Sequence, residues 1–73
     1  MILYQYPQCP FCARVLQAIK PLNLDIELRN TITNPKYKQE LKALTGRTTV
    51  PCLVENGKPM FESADIIKYL KSK

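Results

Sequence analysis

The sequence predicts an α/β fold with a four-stranded mixed sheet and three helices, in the order βαβαββα. Three observations predict it. Short apolar runs of strand length alternate along the 73 residues with stretches whose apolar residues recur at helical spacing. Prolines and glycines separate these segments, where they end helices and form turns. The last two short runs are joined by Asn56-Gly57, and this pair is a strong hairpin signal.

The first half of the chain predicts strand, helix and strand. Residues 2–6 form an apolar and aromatic run typical of a short buried strand. The first helix is expected to begin at Cys9, with Pro10 in its first turn, and to stop at Pro21. Residues 24–28 alternate between apolar and polar types, which predicts a half-buried second strand. The apolar stripe of the helix is expected to consist of Phe11, Val15, Ala18 and Ile19.

The second half predicts a helix, a hairpin and a final helix. Asn34 is a plausible N-cap for the second helix and Gly46 its C-cap. Pro59 favours an edge position for the last strand, and Ser63 is expected to cap the final helix. The inward residues of these two helices are expected to be Tyr37, Leu41 and Leu44, then Ile66, Ile67 and Leu70. A right-handed crossover would make the first two strands parallel neighbours. This order is the thioredoxin-like arrangement in its smallest form.

Composition narrows the class of protein. A chain of 73 residues has room for one core, so residues 1–73 are expected to form a single domain. The net charge of +5 is spread over the chain without a nucleic-acid-binding motif, so no nucleic-acid partner is expected. No apolar run approaches the ~20 residues of a membrane span, and no signal peptide is recognisable. A monomeric, soluble, cytoplasmic protein is therefore expected, with no membrane partner.

Two of the three cysteines point to thiol chemistry. Cys9 and Cys12 are separated by two residues, and an odd cysteine count does not favour a disulfide scaffold. At a helix N-terminus, free backbone N–H groups would stabilise the thiolate of Cys9, so Cys9 is the expected nucleophile. Cys12 lies one turn further and is expected to be more buried, to have a higher pKa and to resolve mixed disulfides. Cys52 is the third cysteine, and either a buried strand position or a redox role is open to it.

The alternative for this pair is a zinc site. Zinc takes four ligands, whereas the chain has no histidine and only Cys52 besides the pair. One molecule could not close such a site without a carboxylate. No metal is therefore expected.

Three segments together make the chain resemble a glutaredoxin. Residues 9–12 read Cys-Pro-Phe-Cys, which is similar to the dithiol Cys-Pro-Tyr-Cys of that family. Residues 46–51 look like the stretch that ends in the family's cis-proline, here Pro51. Residues 62–65 look like the Glu-Ser segment of glutathione transferase N-terminal domains and transferase-like glutaredoxins. Phe61 and Glu62 stand where glutaredoxins usually carry two glycines.

The resemblance implies a glutathione site. Val50 would offer its backbone to the cysteinyl part of glutathione, and Arg47 would meet the glycine carboxylate. Ser63 and Asp65 would meet the γ-glutamyl end at the start of the last helix. The contact residues implied in this way are Tyr6, Phe11, Arg47, Thr49, Val50, Pro51, Glu62, Ser63 and Asp65.

The implied activity is glutathione-dependent reduction of glutathione mixed disulfides and protein disulfides through Cys9 and Cys12. Glutathione would be the co-substrate, and disulfide-bearing or glutathionylated proteins the partners. Two other classes stay open. One is a dimer that holds a 2Fe–2S cluster through Cys9 and glutathione, against which Pro10 and Cys12 argue. The other is the glutathione-binding half of a transferase.

Overall fold

The computed structural model describes all 73 residues and contains the predicted sheet. The strands lie in the order β2-β1-β3-β4, with β1 parallel to β2 and the other neighbouring pairs antiparallel. The thioredoxin-like fold with three helices is thereby confirmed. The elements are β1 (Ile2–Gln5), α1 (Pro10–Ile19), β2 (Glu27–Asn30), α2 (Pro35–Thr45), β3 (Cys52–Glu55), β4 (Lys58–Met60) and α3 (Ser63–Lys71).

The two faces of the sheet carry separate apolar clusters, because alternate residues of a strand point to opposite faces. Leu3 and Leu53 lie on the face covered by α1 and α3, where they pack with Val15, Ile66 and Leu70. On the other face a second cluster packs beside α2, and it consists of Tyr4, Leu41, Cys52 and Val54. Apolar burial on both faces supplies most of the driving force for folding in a chain of this size.

Helix α1 begins as predicted, but its C-terminal end and one of its inward residues differ from the prediction. The α-helix ends at Ile19, before Pro21, but Lys20–Leu22 continue it as a 3-10 turn that left-handed Asn23 follows. Phe11 was expected on the inward stripe, but its side chain is 59% exposed. The inward positions near the helix start are Cys12 and Val15, and Phe11 precedes them on a different side of the helix.

Strand β2 begins later than predicted. The alternating residues 24–28 predicted a strand there, whereas the hydrogen-bonded strand is Glu27–Asn30. Pairing with β1 starts where Ile2 stands opposite Glu27, so the earlier residues have no strand beside them. Leu24 and Ile26 still pack against the Leu3 cluster. The alternation therefore indicated the inward positions of Leu24 and Ile26 correctly, whereas Leu28 is 50% exposed and the predicted strand boundary was wrong.

Helix α2 has the predicted caps. The Asn34 side chain accepts a hydrogen bond from the Lys36 N–H at 3.1 Å. Gly46 ends the helix at φ 79°, a left-handed conformation that favours glycine. Leu41 is buried as expected, but Leu44 was expected inward and is 46% exposed. This helix meets the sheet through a narrower apolar stripe than its sequence suggested.

A polar cluster on β2 attaches α2 to the sheet. The Arg29 guanidinium lies 5.8 Å from the ring centroid of Tyr4 and 5.3 Å from that of Tyr37. It also donates to the Glu40 carboxylate at 2.7 Å, and Glu27 pairs with it as well. Cation–π contacts and ion pairs thus supplement the limited apolar contact of α2.

The hairpin and the last helix complete the fold. Asn56 and Gly57 have positive φ of 54° and 76°, as a tight hairpin turn requires, and Pro59 lies in the outer strand β4 as predicted. Ser63 was expected to be the N-cap of α3, but Glu62 occupies that position with extended backbone. The Glu62 carbonyl accepts the first helical bond, from the Ile66 N–H at 2.8 Å, so Ser63 is already helical. None of the three helices has the length and apolar character that a membrane span requires.

Candidate functional site

Cys9 is the N-cap of α1, as the sequence predicted. Its backbone is extended, with φ −79° and ψ 124°, and its carbonyl accepts the Ala13 N–H at 2.9 Å. A hydrogen bond from the Cys9 N–H to the Tyr6 carbonyl, 3.2 Å long, closes the turn between β1 and the helix. The thiol is partly exposed and free. The turn therefore presents one sulfur to solvent at the positive end of the helix dipole.

The surroundings of Cys9 favour its thiolate. Partial burial acts to raise the pKa of the Cys9 thiol. The Cys12 N–H, the Cys12 thiol, the Phe11 N–H and the Tyr6 hydroxyl act in the opposite direction, and the resulting pKa lies below its ordinary value. None of these N–H groups forms a capping hydrogen bond of strict geometry with the sulfur, so they act mainly as nearby dipoles. Cys9 is the thiol that ionises first.

Cys12 has the opposite character. Its side chain is fully buried in α1, and burial raises the pKa of its thiol to about 11. The Tyr6 N–H lowers this pKa, whereas the neighbouring Cys9 raises it by accepting a hydrogen bond from the Cys12 thiol and by its negative charge. A partly exposed thiol of lowered pKa and a buried thiol of raised pKa thus lie one helical turn apart, while the roles of nucleophile and resolving thiol stay predictions.

A cleft of about 190 Å³ is lined in part by Phe11, which lies between Cys9 and Cys12 in the sequence. We call it the Pro51 cleft, after the cis-proline that lines it directly before β3, and the Val50-Pro51 bond is cis as the resemblance implied. The residues that line the cleft are Phe11, Arg47, Thr49, Val50, Pro51, Phe61, Glu62 and Ser63. Segments far apart in the sequence thus meet at one surface that includes a residue next to Cys12.

Seven of the nine predicted contact residues line this cleft, and two do not. Tyr6 lies instead beside Cys9, where its hydroxyl faces the sulfur. Asp65 is exposed in the first turn of α3. For both residues a contact with a ligand stays a prediction.

Phe61 lines the cleft, and the sequence reasoning did not include it among the contacts. Its ring centroid lies 4.8 Å from the guanidinium carbon of Arg47. The available signal was the presence of an aromatic side chain where glutaredoxins usually carry glycine. The contact between Phe61 and Arg47 could not be predicted from local sequence, because Arg47 follows α2 whereas Phe61 follows β4.

Cys52 lies on the face of the sheet opposite α1, the helix that carries Cys9 and Cys12. It is fully buried on the α2 face of the sheet with Tyr4, Leu41 and Val54, whereas α1 covers the other face. Burial raises the pKa of the Cys52 thiol, an effect that the Met60 N–H partly offsets. Cys52 therefore packs as a small apolar residue. No three histidine, cysteine or acidic side chains come together as a group that could hold a metal ion.

Two larger hollows lie elsewhere. One of about 260 Å³ lies between the hairpin and α3 and includes Glu55 and Tyr69, and one of about 390 Å³ lies between α1 and the segment leading into β2. No cysteine lines any of the three cavities. We place the candidate site at the smallest, the Pro51 cleft, because it alone is lined by a residue of the Cys9–Cys12 segment, Phe11.

Comparison with known proteins gives two groups of relatives. The family described as "Glutathione S-transferase, N-terminal domain" matches residues 3–73. Glutathione S-transferase D7 of Drosophila melanogaster is 33% identical over 97% of this chain and 33% of its own length. The solved structure of glutathione S-transferase 1-6 from Anopheles dirus has a TM-score of 0.80 and 30% identity, covering 99% of this chain and 35% of the transferase. The chain thus spans about a third of these transferases.

The second group consists of small proteins. A probable glutaredoxin of Acanthamoeba polyphaga mimivirus is 34% identical over 94% of this chain and 76% of its own length. An uncharacterised glutaredoxin-like 8.6 kDa protein in a rubredoxin operon of Clostridium pasteurianum is 27% identical, over 94% of this chain and 95% of that protein. Both groups match nearly the whole chain.

Proposed function

The chain belongs to the family of glutathione S-transferase N-terminal domains and has glutaredoxin relatives, and from that premise we propose that it is a glutathione-dependent thiol–disulfide oxidoreductase. The observation that carries the proposal is the contrast between Cys9 and Cys12. One thiol is accessible with a lowered pKa, and the other, one helical turn away, is buried with a pKa of about 11. Such a pair separates attack from resolution.

In the first step the Cys9 thiolate attacks the glutathione sulfur of a glutathionylated protein. A Cys9–glutathione disulfide forms, and the protein leaves as a thiolate. A second glutathione thiolate then attacks this disulfide, which gives oxidised glutathione and regenerates the Cys9 thiolate. In the net reaction one free glutathione and the mixed disulfide give one protein thiol and one oxidised glutathione, so one disulfide is consumed and one is formed. The lowered pKa of Cys9 increases the fraction that can attack and makes Cys9 a better leaving group in the second step.

With a protein disulfide, Cys12 would resolve the mixed disulfide. Its sulfur attacks Cys9, forms a Cys9–Cys12 disulfide and releases the second protein thiol. Burial holds the pKa of Cys12 high, and the charge of the Cys9 thiolate raises it further. Because that charge is absent once Cys9 is bound in a disulfide, Cys12 becomes easier to ionise at the step that needs it.

The Pro51 cleft is the proposed binding site for glutathione. Val50, two residues before β3, would pair with the cysteinyl backbone, as an added strand does. Ser63 at the start of α3 would receive the γ-glutamyl carboxylate, because free N–H groups at a helix start favour anions. Arg47 would meet the glycyl carboxylate. We place the reaction in a reducing compartment, the cytoplasm, and expect residues 1–73 to act as one monomeric domain.

The test is glutathione-dependent reduction of a small glutathione mixed disulfide, coupled to glutathione reductase. We expect activity in the wild type, no activity in Cys9→Ser, and most of the activity in Cys12→Ser, because small substrates need only Cys9. Activity retained by Cys9→Ser would refute the mechanism.

A second candidate function is supported by the transferase relatives. In that case the chain would be the glutathione-binding part of a conjugating enzyme, and glutathione itself would attack an electrophile. The Glu62-Ser63 segment in the cleft favours this alternative. Conjugation of glutathione to 1-chloro-2,4-dinitrobenzene distinguishes the two functions, since the proposed oxidoreductase is expected to be nearly inactive in that assay.

A further inference from the structure

The backbone of Arg47 is anchored to the end of α2. Gly46 turns the chain out of the helix, and the Thr45 hydroxyl then connects both sides of the turn. It donates to the Leu41 carbonyl at 2.8 Å and accepts the Arg47 N–H at 3.1 Å. The Cα of Arg47 therefore has a defined position at the edge of the Pro51 cleft.

The side chain of Arg47 is positioned by Phe61. A separation of 4.8 Å between the guanidinium carbon and the ring centroid lies within the range of a cation–π contact. The ring is half-buried and packs against the cluster of Tyr4 and its neighbours on the α2 face. Because the ring is held in that cluster, it limits where the guanidinium can go.

The guanidinium has unused hydrogen-bonding capacity. The ion pairs of the protein join Arg29 to Glu27 and Glu40, and Lys73 to Glu55, so Arg47 has no carboxylate partner. No protein acceptor takes a hydrogen bond from its side chain. A planar guanidinium with free donors is suited to binding a carboxylate through two parallel hydrogen bonds.

We propose that Phe61 is a positioning residue, which holds the Arg47 guanidinium at the Pro51 cleft for the glycyl carboxylate of glutathione. The inference rests on the proposed function. With Val50 assigned to the cysteinyl part and Ser63 to the γ-glutamyl end, the glycyl end of the tripeptide falls toward Arg47. The consequence is selectivity: the site favours glutathione over γ-glutamyl thiols that lack glycine. A glycine in place of Phe61 could not hold the guanidinium in this way.

The test uses two disulfides that differ only at this end. The full chain carrying Cys12→Ser is reacted with oxidised glutathione or with the disulfide of γ-glutamylcysteine, which has no glycine. In each reaction the Cys9 thiolate attacks one sulfur, forms a mixed disulfide on Cys9 and releases one thiolate. Intact-protein mass spectrometry follows the added mass and gives two rate constants. Their ratio measures the preference for glycine.

We expect Phe61→Leu to lower this ratio about three- to tenfold, the fold-change equivalent of losing a cation–π contact. The rate with γ-glutamylcysteine disulfide should fall much less, since that ligand lacks the glycyl carboxylate and its terminal cysteinyl carboxylate ends one residue short of that position. Phe61→Tyr keeps a ring and should rescue the ratio. Combined with Arg47→Gln, Phe61→Leu should add little further loss, because both changes act on one contact.

Tyr69→Leu is the matched control. The Tyr69 ring also makes a cation–π contact, 4.8 Å from the Lys73 ammonium nitrogen, but near the hairpin. Replacing it should leave the ratio of the two rate constants unchanged. Arg47→Lys covers the case in which Phe61→Leu does not fold. Arg47 is exposed, and lysine keeps the charge but lacks the planar guanidinium. We expect Arg47→Lys to lower the ratio.

The outcomes separate this inference from the proposed function. Equal rates with both disulfides in the Cys12→Ser protein, or an unchanged ratio when folded Phe61→Leu or Arg47→Lys is added to it, would overturn the role of Phe61 and leave the oxidoreductase proposal standing. No mixed disulfide on Cys9 of the Cys12→Ser protein with either compound would overturn both.

Discussion

Replacing Tyr6 by phenylalanine tests how the protein activates Cys9. The Tyr6 hydroxyl is one of the groups that hold the pKa of the Cys9 thiol below its ordinary value, together with two backbone N–H groups and the Cys12 thiol. Tyr6→Phe removes this single donor and keeps the ring. The backbone dipoles at the start of α1 are unaffected. The pKa of Cys9 should therefore rise, but remain lowered relative to a free cysteine.

The magnitude follows from the strength of one hydrogen bond to a charged acceptor. Such a bond contributes about 1.5–3 kcal/mol in a buried site. Sulfur is a weaker acceptor and Cys9 is partly exposed, so solvent screening reduces this to about 0.7–1.4 kcal/mol. That range corresponds to a change of about three- to tenfold in the ratio of thiolate to thiol.

The assay is the pH dependence of Cys9 alkylation by iodoacetamide, in the Cys12→Ser background. Only the thiolate reacts, so the rate rises with pH and levels off above the pKa. On the rising part of the curve Tyr6→Phe should react about three- to tenfold more slowly, and its midpoint should move to higher pH. On the plateau, where both proteins are fully ionised, the rates should nearly coincide.

Tyr4→Phe is the matched control, because Tyr4 precedes Tyr6 by two residues but its hydroxyl contacts Arg29 and Glu40. It should leave the alkylation curve unchanged. An unchanged midpoint in Tyr6→Phe would show that the hydroxyl does not act on the thiolate. An equal loss at every pH would indicate a change in access to the sulfur instead.

Three further predictions concern reactivity and stability. In the folded protein Cys52 should resist iodoacetamide while Cys9 reacts, because Cys52 is fully buried, and denaturation should expose it; peptide mapping by mass spectrometry checks this. Leu53→Ala should lower the free energy of unfolding in urea by about 2–5 kcal/mol, whereas Leu28→Ala, at a half-exposed position, should cost much less. Gly46→Ala should cost about 1 kcal/mol in the same experiment, since φ is 79° although no atom crowds the position. A cost near zero would contradict the assigned C-cap.

Local chemistry made much of the fold predictable. Asn34, Gly46 and the Asn56-Gly57 turn each adopt the conformation expected of their residue types. These choices depend on a few neighbouring backbone bonds and need no distant partner. The order of elements then left few topologies, because a parallel connection is right-handed.

The errors have a common physical cause. Phe11 and Leu44 occupy apolar positions at helical spacing, yet both are exposed, because nothing packs over those sides of the helices. The prediction of residues 24–28 as a strand failed similarly, since β1 begins too late to pair with residues before Glu27. The apolar periodicity of a segment shows which of its faces could be buried, whereas actual burial depends on which other helix or strand packs against that face.

The sequence by itself determined the chemistry at the start of α1. The spacing of Cys9 and Cys12, with Pro10 between them, is enough to place one sulfur at a helix N-terminus and the other one turn inside. The tertiary structure alone decided which residues surround that pair. It placed Cys52 on the face of the sheet opposite α1, and Phe61 against Arg47. Contacts between residues fourteen or more positions apart depend on how helices and strands pack, and short-range patterns do not encode that packing.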